Sequence, residues 1–223
     1  YLEQYPARVD GVVGGYVALE LLLGPRVVMR PGLRVDVYRS PGVSAVGVDP
    51  RFSAEYRVTP RLTLFSGFGI AHQPPSSAVP TPGLERALGL GLQTGVQQSY
   101  GVRLRLPQQL SLEVTAFQSA LFNLTDDIGQ ARTRDSDENL PENQRGLGRA
   151  RGIELFLKRS LTRKLGGFLS YTLASSQRFV GRSDVPSAYD RRHVLGTALG
   201  YDWGGGFRSG LRGSFYTGVP ADV

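Results

Sequence analysis

The sequence predicts an all-β chain, and within that class an antiparallel up-and-down barrel that spans a membrane with its strands. Three observations point there. Apolar residues recur at every second position in ten separate segments. One of these segments, Leu88 to Leu106, keeps its parity for 19 residues. The connections between segments alternate between short and long.

The segments follow in order. Val17, Leu19, Leu21 and Leu23 oppose Ala18, Glu20 and Leu22. Leu33, Val35 and Val37 oppose Arg34, Asp36 and Tyr38. Phe52, Ala54, Tyr56 and Val58 oppose Arg51, Ser53, Glu55 and Arg57. Leu62, Leu64, Phe68 and Ile70 oppose Arg61, Thr63, Gly67 and Gly69. The fifth segment is the long one. Its even positions run from Leu88 to Leu106, and its odd positions, Gly89 to Arg105, carry no apolar side chain. Leu110, Leu112 and Val114 oppose Ser111, Glu113 and Thr115. Ile153, Leu155 and Leu157 oppose Gly152, Glu154 and Lys158, with Phe156 out of pattern. Leu169, Tyr171 and Leu173 oppose Ser170, Thr172 and Ala174. Leu195, Leu199 and Tyr201 oppose Val194, Gly196, Ala198 and Gly200. Phe207, Leu211 and Phe215 oppose Arg208, Gly210, Arg212 and Ser214.

At roughly 3.3 Å per residue, the fifth segment would span about 60 Å as one strand. That suits a strand tilted by about 45° across a hydrocarbon layer of about 30 Å. On this stretch alone a second reading stands: two shorter strands joined by a turn at Gln98–Gly101 in a soluble β-protein.

The connections decide between the readings. Short ones fall at Gly24-Pro25, Thr59-Pro60, Pro107-Gln108-Gln109, Ser160–Lys164 and Gly204-Gly205-Gly206. Long ones fall at Arg39–Ala45, His72–Arg86, Thr125–Leu147 and Val180–Arg191. Tight turns at one end and long loops at the other belong to an outer-membrane barrel with periplasmic turns and extracellular loops. A soluble Greek-key sandwich has no reason to put every long loop at one end. Tyr56, Tyr201, Trp203 and Phe207 lie near short turns, where an interfacial aromatic girdle belongs.

Composition permits this. Mean hydropathy is −0.17 and charged residues make up 20%. No apolar run approaches the 18 or so residues a membrane helix needs. Net charge is +7, carried by 24 Arg against 2 Lys, Lys158 and Lys164. The Arg are spread over the chain without a dense basic run, which argues against nucleic acid as a partner. No Cys is present, so a disulfide framework and a thiolate zinc site are excluded. No helix is read to carry a G-x-S-x-G nucleophile turn, no Cys is present, and the two His are too far apart in sequence to suggest a triad; the chain is not expected to be an enzyme.

Four phrases carry a resemblance: "PGLRVDVY" (31–38), "DPRFSAEYRVTPRLTLFSGFGIAHQPP" (49–75), "RGIELFLKRSLTRKLGGFLSYTLASSQR" (151–178) and "YDRRHVLGTALGYDW" (189–203). Their order and spacing resemble the barrel domain of TonB-dependent outer-membrane receptors over most of residues 16–217. The resemblance implies about ten strands of a larger, 22-stranded barrel, occluded by an N-terminal plug. It implies uptake of a scarce nutrient of the siderophore, cobalamin or oligosaccharide class. The implied partners are that small nutrient, outer-membrane lipid and lipopolysaccharide, and the TonB–ExbB–ExbD machinery acting through the plug. No plug, TonB box or terminal aromatic strand is read here, and both chain ends fall on the long-loop side. Residues 1–223 are therefore expected to be one barrel segment with plug and terminal strands outside it. The alternative function is a non-energised barrel: a porin, or an anchoring component that pairs with a partner membrane protein in a surface complex.

Candidate sites follow from parity and loop length. Arg34, Arg51, Arg57, Arg103, Arg105, Glu113, Glu154, Arg208 and Arg212 are expected to face the lumen, with Glu20, Asp36, Glu55 and Lys158. Opposite charges on neighbouring strands would satisfy one another as ladders; the Arg surplus would draw anionic substrate or grip the plug. The loop "TDDIGQARTRDSDENLPENQRG" offers Asp126, Asp127, Arg132, Arg134, Asp135, Asp137 and Glu138 as an extracellular ligand surface. Its carboxylates are of the type that bind Ca²⁺, but the spacing lacks the D-x-[DN]-x-[DN]-G pattern, and a solvated loop is the preferred reading. No other cofactor is expected. Asp190 and His193 are two ligands at most, too few for a metal site.

Overall fold

The computed structural model describes residues 10–74, 88, 91–124, 146–160, 164–180, 183–187 and 190–220. They form a single antiparallel sheet of twelve strands. In chain order these are β1 (Gly11–Ala18), β2 (Leu21–Leu23), β3 (Val27–Ser40), β4 (Val43–Arg57), β5 (Leu62–Gln73) and β6 (Gln93–Arg105). Then come β7 (Leu110–Leu124), β8 (Gly146–Arg159), β9 (Leu165–Val180), β10 (Ser183–Pro186), β11 (His193–Gly204) and β12 (Phe207–Tyr216). The spatial order is β1-β3-β4-β5-β6-β7-β8-β9-β11-β12, with β2 on β3 and β10 on β9. Every main-path neighbour is also the next long strand in sequence, which makes the sheet a meander. Among the described residues β1 and β12 do not pair. Most strands run 12–16 residues, well above the usual 5–6 of a globular domain.

The fifth predicted segment is one strand, not two. β6 runs through Gln98–Gly101 without a break. It opens at Gln93 rather than Leu88, so it is 13 residues long, not 19.

The first predicted segment is split into β1 and β2, and proline explains the split. Ala18 faces Gly32 and Leu21 faces Met29, so the register is continuous across the gap. Leu19 N–H donates to Pro31 O at 3.0 Å. Pro31 has no N–H to return. The ladder is interrupted there while the strand itself continues.

Pro50 does the same on the β4–β5 seam. The β3–β4 ladder passes Leu33–Pro50 unbroken. The β4–β5 ladder stops at Arg51–Gly69, one step short of Pro50. Beyond that point Asp49 Oδ1 and His72 Nδ1 meet at 2.6 Å, and Tyr38 Oη donates to His72 O at 3.3 Å. Side chains hold the seam where the backbone cannot.

One predicted long connection is a correction. Arg39–Ala45 is not a long loop: β3 and β4 pair out to Ser40–Val43 and turn through Pro41-Gly42 alone. Pro presets the first turn position, and Gly42, at φ 79°, takes the left-handed second one. The short turns at Gly24, Thr59-Pro60, Pro107–Gln109 and Gly204–Gly206 fall where expected. Connections 74–92 and 125–145 are long.

Candidate functional site

Residues opposite one another across an antiparallel ladder share a face. Tracing the registers from β1 to β12 divides most of the sheet into two faces, with register shifts between Leu121 and Leu124 and between Asp202 and Gly204. One face carries Leu33, Tyr56, Leu64, Val102, Val114, Leu155, Tyr171, Leu195 and Phe215. Many of its large apolar side chains are exposed, Leu211 at 69% and Tyr100 at 60% among them. A soluble sheet would bury such a face, so this one is built for an apolar surround. Its short-turn edge carries aromatics: Trp203 stacks edge-on against Tyr201 at 4.5 Å and donates Nε1–H to Ser209 Oγ.

The other face is polar, and it holds all nine charged residues predicted by parity. Arg34 lies opposite Asp49, Arg51 opposite Gly32, and Arg57 opposite Thr63. Arg103 and Arg105 lie opposite Glu113 and Ser111. Glu154 lies between Thr115 and Thr172, Arg208 opposite Asp202, and Arg212 opposite Ala198.

The structure joins only some of them. Arg103 donates Nε–H to Glu113 Oε2 at 2.8 Å and approaches Glu55 Oε2 at 3.9 Å. Glu55 in turn accepts from Arg30 Nη1 at 3.0 Å, and Arg30 Nε donates to Glu20 Oε2 at 2.6 Å. Five charges thus form one line from the β1–β2 link to β7. Arg34 grips Asp36 on its own strand with two bonds, 2.6 and 2.9 Å. Arg51 lies over the Tyr16 ring. Arg208 pairs with Asp202, which also accepts from Gly204 N–H; these two donors, the backbone one first, hold the Asp202 carboxyl below its ordinary range.

Sequence reasoning missed Arg30, the link between Glu20 and Glu55. It shares the even parity of Arg34 and Asp36, but Pro31 makes residues 27–31 look unlike strand. Phe156, out of pattern in the sequence, also finds its reason. It faces this polar side against Phe168, with ring centroids 5.8 Å apart. Two glycines serve similar aromatics. A Cβ on Gly101 would lie 2.1 Å from Phe65 Cζ, and one on Gly152 would lie 2.7 Å from Phe117 Cζ. The Phe65 ring, folded over Gly101, supports the Arg103 guanidinium at 5.2 Å.

At the short-turn edge the polar face is basic. Arg57 N–H donates to Arg26 O, and Arg105 N–H to Arg61 O, so both Arg pairs stand opposite one another. Ser111 links Arg105 to Lys158 along the same row. Like charges placed opposite one another cost stability. Among the described residues no carboxylate reaches these groups, so the edge is left as a concentrated positive field.

The predicted loop residues Asp126, Asp127, Arg132, Arg134, Asp135, Asp137 and Glu138 lie outside the described residues. Asp190 and His193 go to separate partners: Asp190 accepts from Ser176 N–H, and His193 Nδ1 meets Tyr171 Oη at 2.8 Å. Among the described residues no three His, Asp or Glu side chains converge as metal ligands.

Solved structures share this architecture. The ferric-catecholate import receptor Fiu of Escherichia coli K12 is 16% identical, with TM-score 0.69, over 92% of this chain and 34% of that one. The ferripyoverdine receptor of the outer membrane of Pseudomonas aeruginosa is 13% identical, with TM-score 0.67, over 94% and 31%. The FrpB iron transporter of Neisseria meningitidis is 14% identical, with TM-score 0.65, over 95% and 34%. The chain spans about a third of the length of each. No curated protein matches it. Residues 3–222 match the family described as TonB-dependent receptor-like, beta-barrel. With its two-faced meander, its long strands and that match over nearly its whole length, the chain belongs to the TonB-dependent receptor β-barrel family of the outer membrane.

Proposed function

We propose that this chain forms wall and outer loops of a receptor that imports a scarce, anionic nutrient complex, most simply an iron–siderophore chelate, by a TonB-coupled route. Residues 1–223 act as one stretch of barrel wall. The polar face lines the lumen and the apolar face meets lipid. The observation that carries the reading is the division of the sheet: charges on one face, exposed Leu, Val and aromatics on the other. The unpaired cations of the short-turn edge favour an anionic cargo near the exit. The structural neighbours, receptors and transporters of iron or its chelates, point the same way.

The wall is tested with nitroxides at Leu104 and Arg103 of the full-length protein in bilayers. Leu104 should respond to oxygen as a lipid-exposed site, and Arg103 to a water-soluble relaxant. Both in a dry core would end the reading. The transport claim is tested by iron-limited growth of a knockout strain complemented with the full-length gene. Growth on a ferric siderophore should require both this gene and a working TonB. Uptake indifferent to TonB would assign the chain to a non-energised barrel instead.

A further inference from the structure

The apolar face holds a polar patch over β6 to β9. Gln98, Gln118, Arg151 and Ser175 stand opposite one another in one row. Gln118 and Arg151 are exposed. Gln118 donates to Gln98 Oε1 at 2.8 Å. Among the described residues no carboxylate comes within ion-pair distance of Arg151. One rung on, Arg149 is provided for: Nη2 donates to Gln177 Oε1 at 2.9 Å and lies 3.9 Å from Asp184.

Apolar side chains bound the patch on both sides. Toward the short turns lie Tyr100, Ala116, Ile153 and Leu173. Toward the long loops lie Phe122, Leu147 and Phe179. On β8 this face runs from Arg159 through Arg151 to Leu147. At about 3.3 Å per residue and a tilt of about 45°, Arg151 stands roughly 19 Å from Arg159 along the membrane normal, and Leu147 roughly 28 Å. The longer distance approaches the depth of a hydrocarbon layer of about 30 Å. Arg151 therefore lies inside the layer. A bare guanidinium on a lipid-facing wall costs stability, and the cost grows with depth.

A hollow of about 620 Å³ adjoins the patch on the same face. Its floor is small, Ala54, Ser66 and Ala116, and Tyr56 and Tyr100 stand beside it. Small residues let another protein surface approach a membrane wall closely, and the hollow seats a protruding apolar side chain.

We infer that the outer face of β6 to β9 docks a second, different integral membrane protein, which presents a carboxylate to Arg151 and an apolar side chain to the hollow. Charge decides the kind of partner. A carboxylate matches the guanidinium fork with two charge-assisted hydrogen bonds, and the Gln98–Gln118 amides keep further donor and acceptor sites beside it. Acyl chains offer no acid inside the layer. A second copy of this chain offers none to spare: among the described strands the outer face holds one carboxylate, Asp184, which already lies by Arg149. The inference rests on the apolar face lying in the membrane, which the nitroxide at Leu104 tests separately.

The experiment places photoreactive benzoylphenylalanine at Ile153 of the full-length protein in its native outer membrane, with Leu33 as a site on the same face away from the patch. Irradiation at Ile153 should give one discrete protein adduct whose crosslinked peptide carries Asp or Glu; Leu33 should give none. Arg151→Gln should reduce the adduct about tenfold, as expected for loss of one charge-assisted contact, and Arg151→Lys should keep most of it. Ala116→Phe should fill the hollow and reduce the adduct similarly; Ser66→Leu is the second filling variant should the first not fold. A nitroxide at Ser175 should be shielded from oxygen in native membranes and accessible once the protein is purified into plain bilayers. Adducts to lipid alone, an adduct formed by a second copy of the receptor, or a protein adduct indifferent to Arg151→Gln overturns the inference. So does a Ser175 label equally accessible in both membranes.

Discussion

Arg103 Nε and Glu113 Oε2 meet at 2.8 Å across β6 and β7, while Leu104 and Leu112, one position along each strand, face the opposite way. The pair is about one-third exposed, and Arg103 also approaches Glu55 and lies over the Phe65 ring. A double-mutant cycle with Arg103→Ala and Glu113→Ala should give a coupling of about 0.5–1 kcal/mol, the range of partly exposed pairs. Thermal unfolding, followed by the shift in gel mobility that accompanies loss of the barrel, measures it. Zero coupling would mean the contact is not held in solution.

Gly101 leaves room for Phe65, whose Cζ would lie 2.1 Å from an added Cβ. Gly101→Val should therefore destabilise by about 1–3 kcal/mol, the usual cost of overpacking. It should also loosen Arg103, which rests over the displaced ring. Combining it with Phe65→Ala should recover much of the loss. An additive double mutant would separate the glycine from the ring.

Pro31 leaves the carbonyl of Leu19 without its ladder partner, because proline has no N–H to offer β1 and β2. Pro31→Val should join β1 and β2 into one ladder. The gain is about 0.5–1.5 kcal/mol, that of one added backbone hydrogen bond. Hydrogen exchange should then show a protected amide at position 31. A fast-exchanging amide there would refute this explanation of the split.

Asp202 sits at the β11–β12 turn, where Gly204 N–H and Arg208 both donate to it and lower its pKa. Its folded pKa is below its unfolded value. The stabilisation is therefore present above the unfolded carboxylate range and is lost as pH falls through the folded pKa. The Gly204 amide resonance should be constant near neutrality and move only in acid, below the ordinary range of an aspartate. Asp202→Asn should abolish that acid transition. A midpoint at or above the ordinary aspartate range would contradict the geometry.

Much of this was readable in the residues because a strand repeats every two positions. Parity alone put Arg34, Arg51, Arg57, Arg103, Arg105, Glu113, Glu154, Arg208 and Arg212 on one face, and the registers keep them there. Turn chemistry placed the short connections. Two of the misreadings lie at proline. Pro31 hid Arg30, and Pro41-Gly42 looked like the middle of a long loop although β3 and β4 pair right up to it. Proline reads as an interruption in sequence, whereas in this sheet it removes one hydrogen bond and leaves the strand running.

The amino-acid order by itself determined that the sheet has a wet face and a greasy face, since alternation is a property of each strand alone. Only the tertiary structure decided which charges meet. Whether Arg30 reaches both Glu20 and Glu55, and whether Arg103 finds Glu113, depend on register between strands. Register is set by the joint pairing of neighbours and their turns, and no single strand carries that information.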